Sequence, residues 1–144
     1  MVPEKKSRNN QMEDLVKDFL RQKRFAVVGS FRDETKYAYK ILVDLLKKGY
    51  EVFPVNPHLS EIKGRICYRT ISDIPYSVDV VNIVTPSIVT EKILKECFQK
   101  GIRRVWLQPG AESQAAIRFC NDNGIKVIHG ICVMLSLFTE EETL

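Results

Sequence analysis

The chain has 144 residues, of which 44% are hydrophobic and 28% are charged, and its formal net charge is +4. A chain of this length buries roughly 70% of the surface of its unfolded state, so it needs neither disulfides nor a metal to fold. No apolar run approaches the roughly 20 residues that cross a bilayer, and residues 1–24 lack the apolar block of a secretory signal. We therefore expect a cytoplasmic protein without membrane contact, one domain over 1–144 with a flexible tail over 1–10.

The charge distribution and the metal-binding residue types also restrict the possible partners. A net charge of +4 without a concentrated basic face does not favour nucleic-acid binding. His58 and His129 are too few and too separated to form a metal pair. The four cysteines lie too far apart for a paired-cysteine metal motif, and we expect each to be a small buried hydrophobe: Cys67, Cys97, Cys120 and Cys132.

The first predicted elements are a helix, a strand and a second helix. Apolar residues of the first helix recur with the i, i+3, i+4, i+7 period of an amphipathic helix, at Met12, Leu15, Val16, Phe19 and Leu20. The strand over 25–28 is nearly all apolar, as is typical of a parallel strand covered on both faces. A polar loop then leads to the second helix, whose buried face carries Ala38, Ile41, Leu42, Leu45 and Leu46.

Three recurrences of one pattern indicate the topology. Gly49, Gly101 and Gly124 each follow an apolar-periodic segment and precede a strand, as a glycine that ends a helix does. With a further strand over 79–84, five strands alternate with helices through short connections. Such alternation predicts an α/β fold, a Rossmann-like doubly wound parallel sheet of about five strands in three α/β/α layers.

In this fold the ligand lies beyond the carboxyl ends of the strands. After the first strand, Gly29 and Ser30 are placed where backbone amides can approach a phosphate, and Lys36 stands at the entrance of the following helix. After the third strand, Thr85 and Pro86 leave strand-end backbone groups free to bind an adenine edge or a pantetheine amide, although a helix cap is an equally simple interpretation.

The end of the second strand differs from a dinucleotide site. Asn56 stands where such a site has an acid that accepts the ribose hydroxyls. An acid would repel a ribose 3′-phosphate, whereas Asn56, His58 or Lys63 would favour one. The alternative is that Asn56 and Pro57 only turn the chain. After the fourth strand, the tight turn at 108–110 is expected to line the same crevice.

Taken together, these motifs resemble the small stand-alone CoA-binding proteins, which are similar to the N-terminal domain of the succinyl-CoA synthetase α subunit. The resemblance runs from about Phe25 to Cys132 and is most specific over 49–57, 61–64, 67–68, 74–75, 78–79 and 106–110. It implies coenzyme A or an acyl-CoA as ligand, held across the strand ends by Gly29, Ser30, Lys36, Asn56, Pro57, Thr85 and Pro86. The sequence departs from the family at Phe31, at Ala38 and at residues 130–131.

Three functions remain open from the sequence. The first is non-catalytic binding of CoA, since no acid, base and nucleophile are assembled in any motif. The second is an NAD(P)-linked oxidoreductase or redox sensor, because the fold alone does not fix the function. The third is a partner subunit of an acyl-CoA ligase, and a homodimer through an exposed helix face is also possible.

Overall fold

The computed structural model describes residues 8–142. In chain order the elements are α1 (Arg8–Leu20), β1 (Arg24–Gly29), α2 (Tyr37–Lys47), β2 (Glu51–Val55), β3 (Glu61–Ile62), β4 (Arg65–Ile66), a 3-10 turn (Ile71–Asp73), β5 (Val80–Val84), α3 (Ser87–Lys100), β6 (Arg104–Leu107), α4 (Gln114–Asp122), β7 (Lys126–His129) and α5 (Val133–Glu142).

Five parallel strands form one sheet in the order β2-β1-β5-β6-β7. The chain goes from β1 outward to β2, then returns to pair β5 on the other side of β1 and continues through β6 to β7. The direction of winding therefore reverses between β1 and β5, which is the switch point where open α/β sheets bind ligands. This arrangement confirms the predicted Rossmann-like parallel sheet.

The sheet separates two apolar cores, which makes the fold three-layered. On one face, side chains such as Val27 and Trp106 pack with Phe19 of α1 and with residues of α2 and α5. On the other face, Ala26 and Val81 pack with residues of α3, α4 and the 3-10 turn. Strand residues alternate between the two cores because successive side chains of a strand point to opposite faces.

Helix ends follow the sequence signals. Gly101 ends α3 in the left-handed conformation with φ of 84°, which costs little only for glycine, and Gly49 and Gly124 also have positive φ. Ser113 precedes α4, and its Oγ accepts a hydrogen bond of 3.0 Å from the amide of Ala116. These interactions fix where each strand begins, and hence the level at which its carboxyl end reaches the site.

Three features differ from the sequence prediction. The helix α1 begins at Arg8, so residues 8–10 are helical rather than part of the predicted tail, and residues 1–7 lie outside the described range. A hairpin of β3 and β4 follows β2, with positive φ at Lys63 and Gly64 of its two-residue turn. The helix α5 was not predicted. Within residues 8–142, no helix is long and apolar enough to cross a membrane.

Candidate functional site

A cavity of about 550 Å³ opens at the carboxyl ends of β2, β1 and β5. Six of the seven predicted site residues line it together: Gly29, Ser30, Asn56, Pro57, Thr85 and Pro86. The other wall is formed by α3 and by residues 69–71. Apolar side chains contribute much of the lining: Val28, Val55, Ile71, Val84, Val89 and Ile93. The fold therefore brings six of the residues predicted from the sequence to one cavity at the switch point.

Gly29 is required by close packing at the end of β1. A Cβ at this position would lie 2.7 Å from the Cβ of Ala38 and 2.9 Å from the carbonyl oxygen of Val84. Both distances are far below normal contact, so any side chain here would push α2 away from the sheet. The small residue Ala38 is part of the same fit, and Gly29 thus keeps the start of α2 close to the cavity.

Asn56 joins the ends of β1 and β2. Its Nδ2 donates to the carbonyl oxygen of Gly29 at 2.7 Å, and its Oδ1 accepts from the amide of His58 at 2.8 Å. Both polar groups of the side chain are thus used within the protein. The structure favours a positioning role in which Asn56 holds the two loops at a fixed separation beside the cavity.

Thr85 and Pro86 form the entry to α3. The hydroxyl groups of Thr85 and Thr90 lie 2.9 Å apart in a hydrogen bond, and the carbonyl oxygen of Pro86 accepts from the amides of Val89 and Thr90. Thr90 is fully buried. This local network satisfies the side-chain hydroxyls of the turn and holds the first turn of α3 rigidly against the cavity.

Lys36 is the predicted site residue that the structure does not bring to the cavity. It is half-buried at the N-cap position of α2, beside the loop that contains Asp33. Hydrogen bonds from the Thr35 hydroxyl and amide lower the pKa of Asp33, and the positive charges of Lys36 and Arg32 lower it further. The nearby charge that Lys36 stabilises in the structure is therefore a carboxylate of the protein.

The cavity also has charged residues that the sequence analysis missed. Arg69 lines it from the segment before the 3-10 turn, and Lys92 and Glu96 line it from α3. His58, which the sequence analysis did name, lines it as well. The Oε1 of Glu96 accepts a hydrogen bond from Ser72 at 3.3 Å, whereas neither cation has a hydrogen bond or ion pair with any described residue. Only the three-dimensional path of the β3–β4 hairpin brings Arg69 here.

The other half of the strand edge, at β6 and β7, is closed. Gln108 is 2% exposed; its Nε2 donates to Asn82 Oδ1 at 3.1 Å, and its Oε1 accepts from the amide of Val133 at 3.0 Å. The indole of Trp106 donates to the carbonyl oxygen of Ile131 at 2.8 Å. These bonds attach α5 to the strand ends. The prediction that residues 108–110 line the crevice is therefore wrong, because Gln108 caps a helix instead.

The sequence profile of the CoA binding domain matches residues 23–137, most of the described chain. The chain belongs to this family. Among curated relatives, an ADP-forming acetate–CoA ligase of Methanocaldococcus jannaschii is 36% identical over 81 residues, 56% of this chain and 12% of the ligase. The α subunit of ADP-forming acetate–CoA ligase II of Pyrococcus furiosus is 27% identical over 126 residues, 80% of this chain and 28% of that subunit. The chain thus spans about a quarter or less of the length of these ligase proteins.

A solved structure of similar size matches this chain over nearly its own whole length. A conserved hypothetical protein from Pyrococcus furiosus superimposes with a TM-score of 0.77 at 41% identity, over 80% of this chain and 99% of that one. The family therefore includes chains that consist of little more than this fold. Neither the profile nor the relatives give support to the nicotinamide alternative.

The two departures from the CoA-binding family near the first loop have structural explanations. Phe31 is 3% exposed and packs in the core formed with α1, α2 and α5, so its ring does not occupy the cavity. Ala38 lies against Gly29, as described above. Neither residue lines the cavity, whose wall at this loop consists of Gly29 and Ser30.

The lining of the cavity fits the chemistry of CoA. A volume of about 550 Å³ lies within the roughly 300–1,000 Å³ typical of small-molecule sites. The apolar walls suit an adenine ring or the hydrocarbon part of pantetheine, and Arg69 and Lys92 supply positive charge for phosphates. The backbone at Gly29 and Ser30 lies at the switch point, where phosphate groups bind in related folds.

Proposed function

We propose that this protein binds coenzyme A or an acyl-CoA across the carboxyl ends of β2, β1 and β5, and that it does so without catalysing a reaction on its own. The observation that carries the proposal is the convergence of six sequence-predicted residues on one apolar cavity, whose wall holds two cations that pair with no residue of the described range. Membership of the CoA-binding domain family supports the same ligand.

The proposed role of the residues is to bind and orient the ligand. The backbone at Gly29 and Ser30 faces the phosphates, Asn56 sets the separation of the loops, and Thr85 and Pro86 hold the wall formed by α3. The His58 and Glu96 side chains also line the cavity. Glu96 is engaged by Ser72, and we assign no chemical step to either.

A ligase partner is the second part of the proposal. The two curated relatives described above are ADP-forming ligases, and one of them is named as an α subunit, of which this chain matches about a quarter of the length. We infer that the CoA-binding protein acts with a separate protein that supplies the remaining ligase function. Co-purification from native extract with a protein that carries other ligase domains would support this part. The absence of such a protein from the purified material would count against it.

Native mass spectrometry followed by calorimetric titration tests the ligand. The purified protein is titrated with CoA, acetyl-CoA, NADH and NADPH in one buffer at fixed salt. We expect micromolar binding of CoA or acetyl-CoA and no binding of either nicotinamide nucleotide. Nicotinamide binding without a response to CoA would overturn the proposal.

Two variants on one turn of α3 locate the ligand. Val89 lines the cavity and is 41% exposed, whereas Ile88 is 73% exposed and does not line it. Both side chains reach solvent, and thermal unfolding of Val89→Trp and Ile88→Trp checks that each variant is folded. We expect Val89→Trp to weaken CoA binding by at least about tenfold, about 1.4 kcal/mol, by filling the cavity. Ile88→Trp should leave it unchanged, and equal effects would place the ligand elsewhere.

A further inference from the structure

Arg69 lies beside the end of β2 and was not identified from the sequence. Tyr68 runs parallel to β2 as an additional partner: its amide donates to the carbonyl oxygen of Pro54 at 3.0 Å, and its carbonyl oxygen accepts from the amide of Asn56 at 2.9 Å. The next residue, Arg69, therefore emerges at the same edge as Asn56, and both residues line the cavity.

The position beside the end of the second parallel strand has a defined meaning in nucleotide-binding α/β folds. An acid there binds the ribose 2′-hydroxyl, and in NADP sites an arginine nearby accommodates the 2′-phosphate. This chain has no acid at that point, since Asn56 replaces it and is bonded to Gly29 and His58. The arginine is present, although it comes from the segment after the hairpin.

The structure makes two of the residues that the sequence suggested for a ribose phosphate, Asn56 and Lys63, less suitable. The Asn56 side chain already binds Gly29 and His58, which leaves one N–H of its amide for a ligand. The Lys63 ammonium lies 5.5 Å from the ring centroid of Tyr39 and lines a separate cavity of about 400 Å³. His58 and Arg69 both line the cavity, and the Arg69 guanidinium makes no hydrogen bond or ion pair to any residue in the described range.

Chemistry favours Arg69 for this task. A guanidinium presents its donors in a planar fork that matches two phosphate oxygens, and it remains charged at any physiological pH. Lys92 is a point charge without such a fork, and it lies on α3, which follows β5 rather than β2.

We propose that Arg69 is the residue that selects a phosphorylated ribose, so that the protein distinguishes CoA from dephospho-CoA. The inference rests on the proposed function, because it concerns the same cavity and names the part of the ligand that Arg69 contacts. The two nucleotides differ only in the ribose 3′-phosphate. A contact to that phosphate is therefore isolated by comparing them.

The experiment is a cycle of two ligands and four proteins. CoA and dephospho-CoA are titrated by calorimetry at one salt concentration into the wild type, Arg69→Gln, Arg69→Lys and Arg65→Gln. Arg65 is exposed on β4, four residues away, and does not line the cavity, so Arg65→Gln makes the same charge change outside the site. Thermal unfolding of each variant checks that it is folded.

We expect the wild type to bind CoA at least about tenfold more tightly than dephospho-CoA, as one charge-assisted contact allows. Arg69→Gln should remove most of this ratio by weakening CoA alone, Arg69→Lys should restore part of it, and Arg65→Gln should leave it unchanged. Wild-type protein that binds both ligands equally, or Arg69→Gln that weakens both equally, would overturn the inference while leaving CoA binding intact. Failure of the wild type to bind either ligand would instead overturn the proposed function, and the inference with it.

Discussion

The two halves of the strand edge are built from similar turns but end in opposite states. At β2, β1 and β5, Asn56 binds the Gly29 carbonyl and Thr85 binds Thr90, and a cavity with apolar walls is left between them. At β6 and β7, Gln108 reaches into the interior and binds the start of α5, which closes the edge. Whether a strand end borders a cavity or is covered thus depends on which group the polar side chain at that end binds.

The largest effect is expected from breaking the closed half. Gln108→Leu removes the acceptor for the Val133 amide and the donor to Asn82, and both groups are buried. Unsatisfied buried groups cost about 1–3 kcal/mol each, so with two such groups the variant should lose about 2–6 kcal/mol of unfolding free energy. Urea unfolding measures this loss.

The comparison is sharpened by measuring CoA affinity in the same variant. If the closed half only seals the edge, Gln108→Leu should keep its CoA dissociation constant within about twofold. The matched control is Gln99→Leu on α3, where the glutamine is exposed and no comparable loss of stability is expected. A large loss of CoA affinity without loss of stability would show that the closed half takes part in binding.

A smaller loss of stability, with a loss of binding, is expected in the open half. Gly29→Ala places a Cβ against Ala38 and the Val84 carbonyl, and overpacking of this kind costs about 1–3 kcal/mol. Since α2 must move away from the cavity, CoA binding should also weaken. Urea unfolding and calorimetry measure the two effects.

Two further variants test whether steric strain causes the loss of stability in Gly29→Ala. Ser30→Ala changes the exposed neighbour of Gly29 without a steric clash and should leave stability nearly unchanged. The double variant Gly29→Ala with Ala38→Gly removes the contact at 2.7 Å and should recover part of the lost stability. No recovery at all would mean that the Val84 carbonyl, rather than α2, sets the limit.

The sequence could predict the edge of the sheet that carries the site, but not which half. Parallel topology follows from helix-ending glycines such as Gly101, and strand ends such as Asn56 and Thr85 are then placed together by topology. Arg69 could not be found in this way, because the two-residue strands β3 and β4 carry no periodic signal. The role of Gln108 depends on α5, which sequence reasoning did not identify.

A third prediction concerns the amino ends of the strands, which serve as a reference for both halves of the carboxyl edge. Asp18 on α1 binds Arg104 at 2.9 Å and lies 3.5 Å from Lys126, at the starts of β6 and β7. Its hydrogen bond to Arg104 is the main cause that lowers the pKa of Asp18 below 3.8, against the opposing effect of burial. Asp18→Asn should cost about 0.5–1 kcal/mol at pH 7 and leave CoA binding unchanged.

The pH dependence of this effect has a defined sign. Because the pKa is lower in the folded state, the stabilisation is complete above the unfolded-state pKa near 3.8 and is lost as the pH falls through the folded value. Urea unfolding at pH 7, 5 and 3 should show equal differences at the first two and a smaller one at pH 3. Glu13→Gln, an exposed change on the same helix, should show no such trend; a difference for Asp18→Asn that stays constant to pH 3 would contradict the assignment.

The smallest effect is expected at Cys132, which lies at the start of α5 on the closed half and does not line the cavity. It is half-buried, whereas burial raises the pKa of Cys120 to about 11 and also raises the pKa values of Cys67 and Cys97. Iodoacetamide should therefore modify Cys132 first, as peptide mass spectrometry would show. If the two halves are independent, saturating CoA should change the rate at which iodoacetamide modifies Cys132 by less than about twofold, because the closed strand edge keeps the ligand away from this thiol. Strong protection would mean that the ligand extends across the switch point to α5, and the open and closed halves would then form one site.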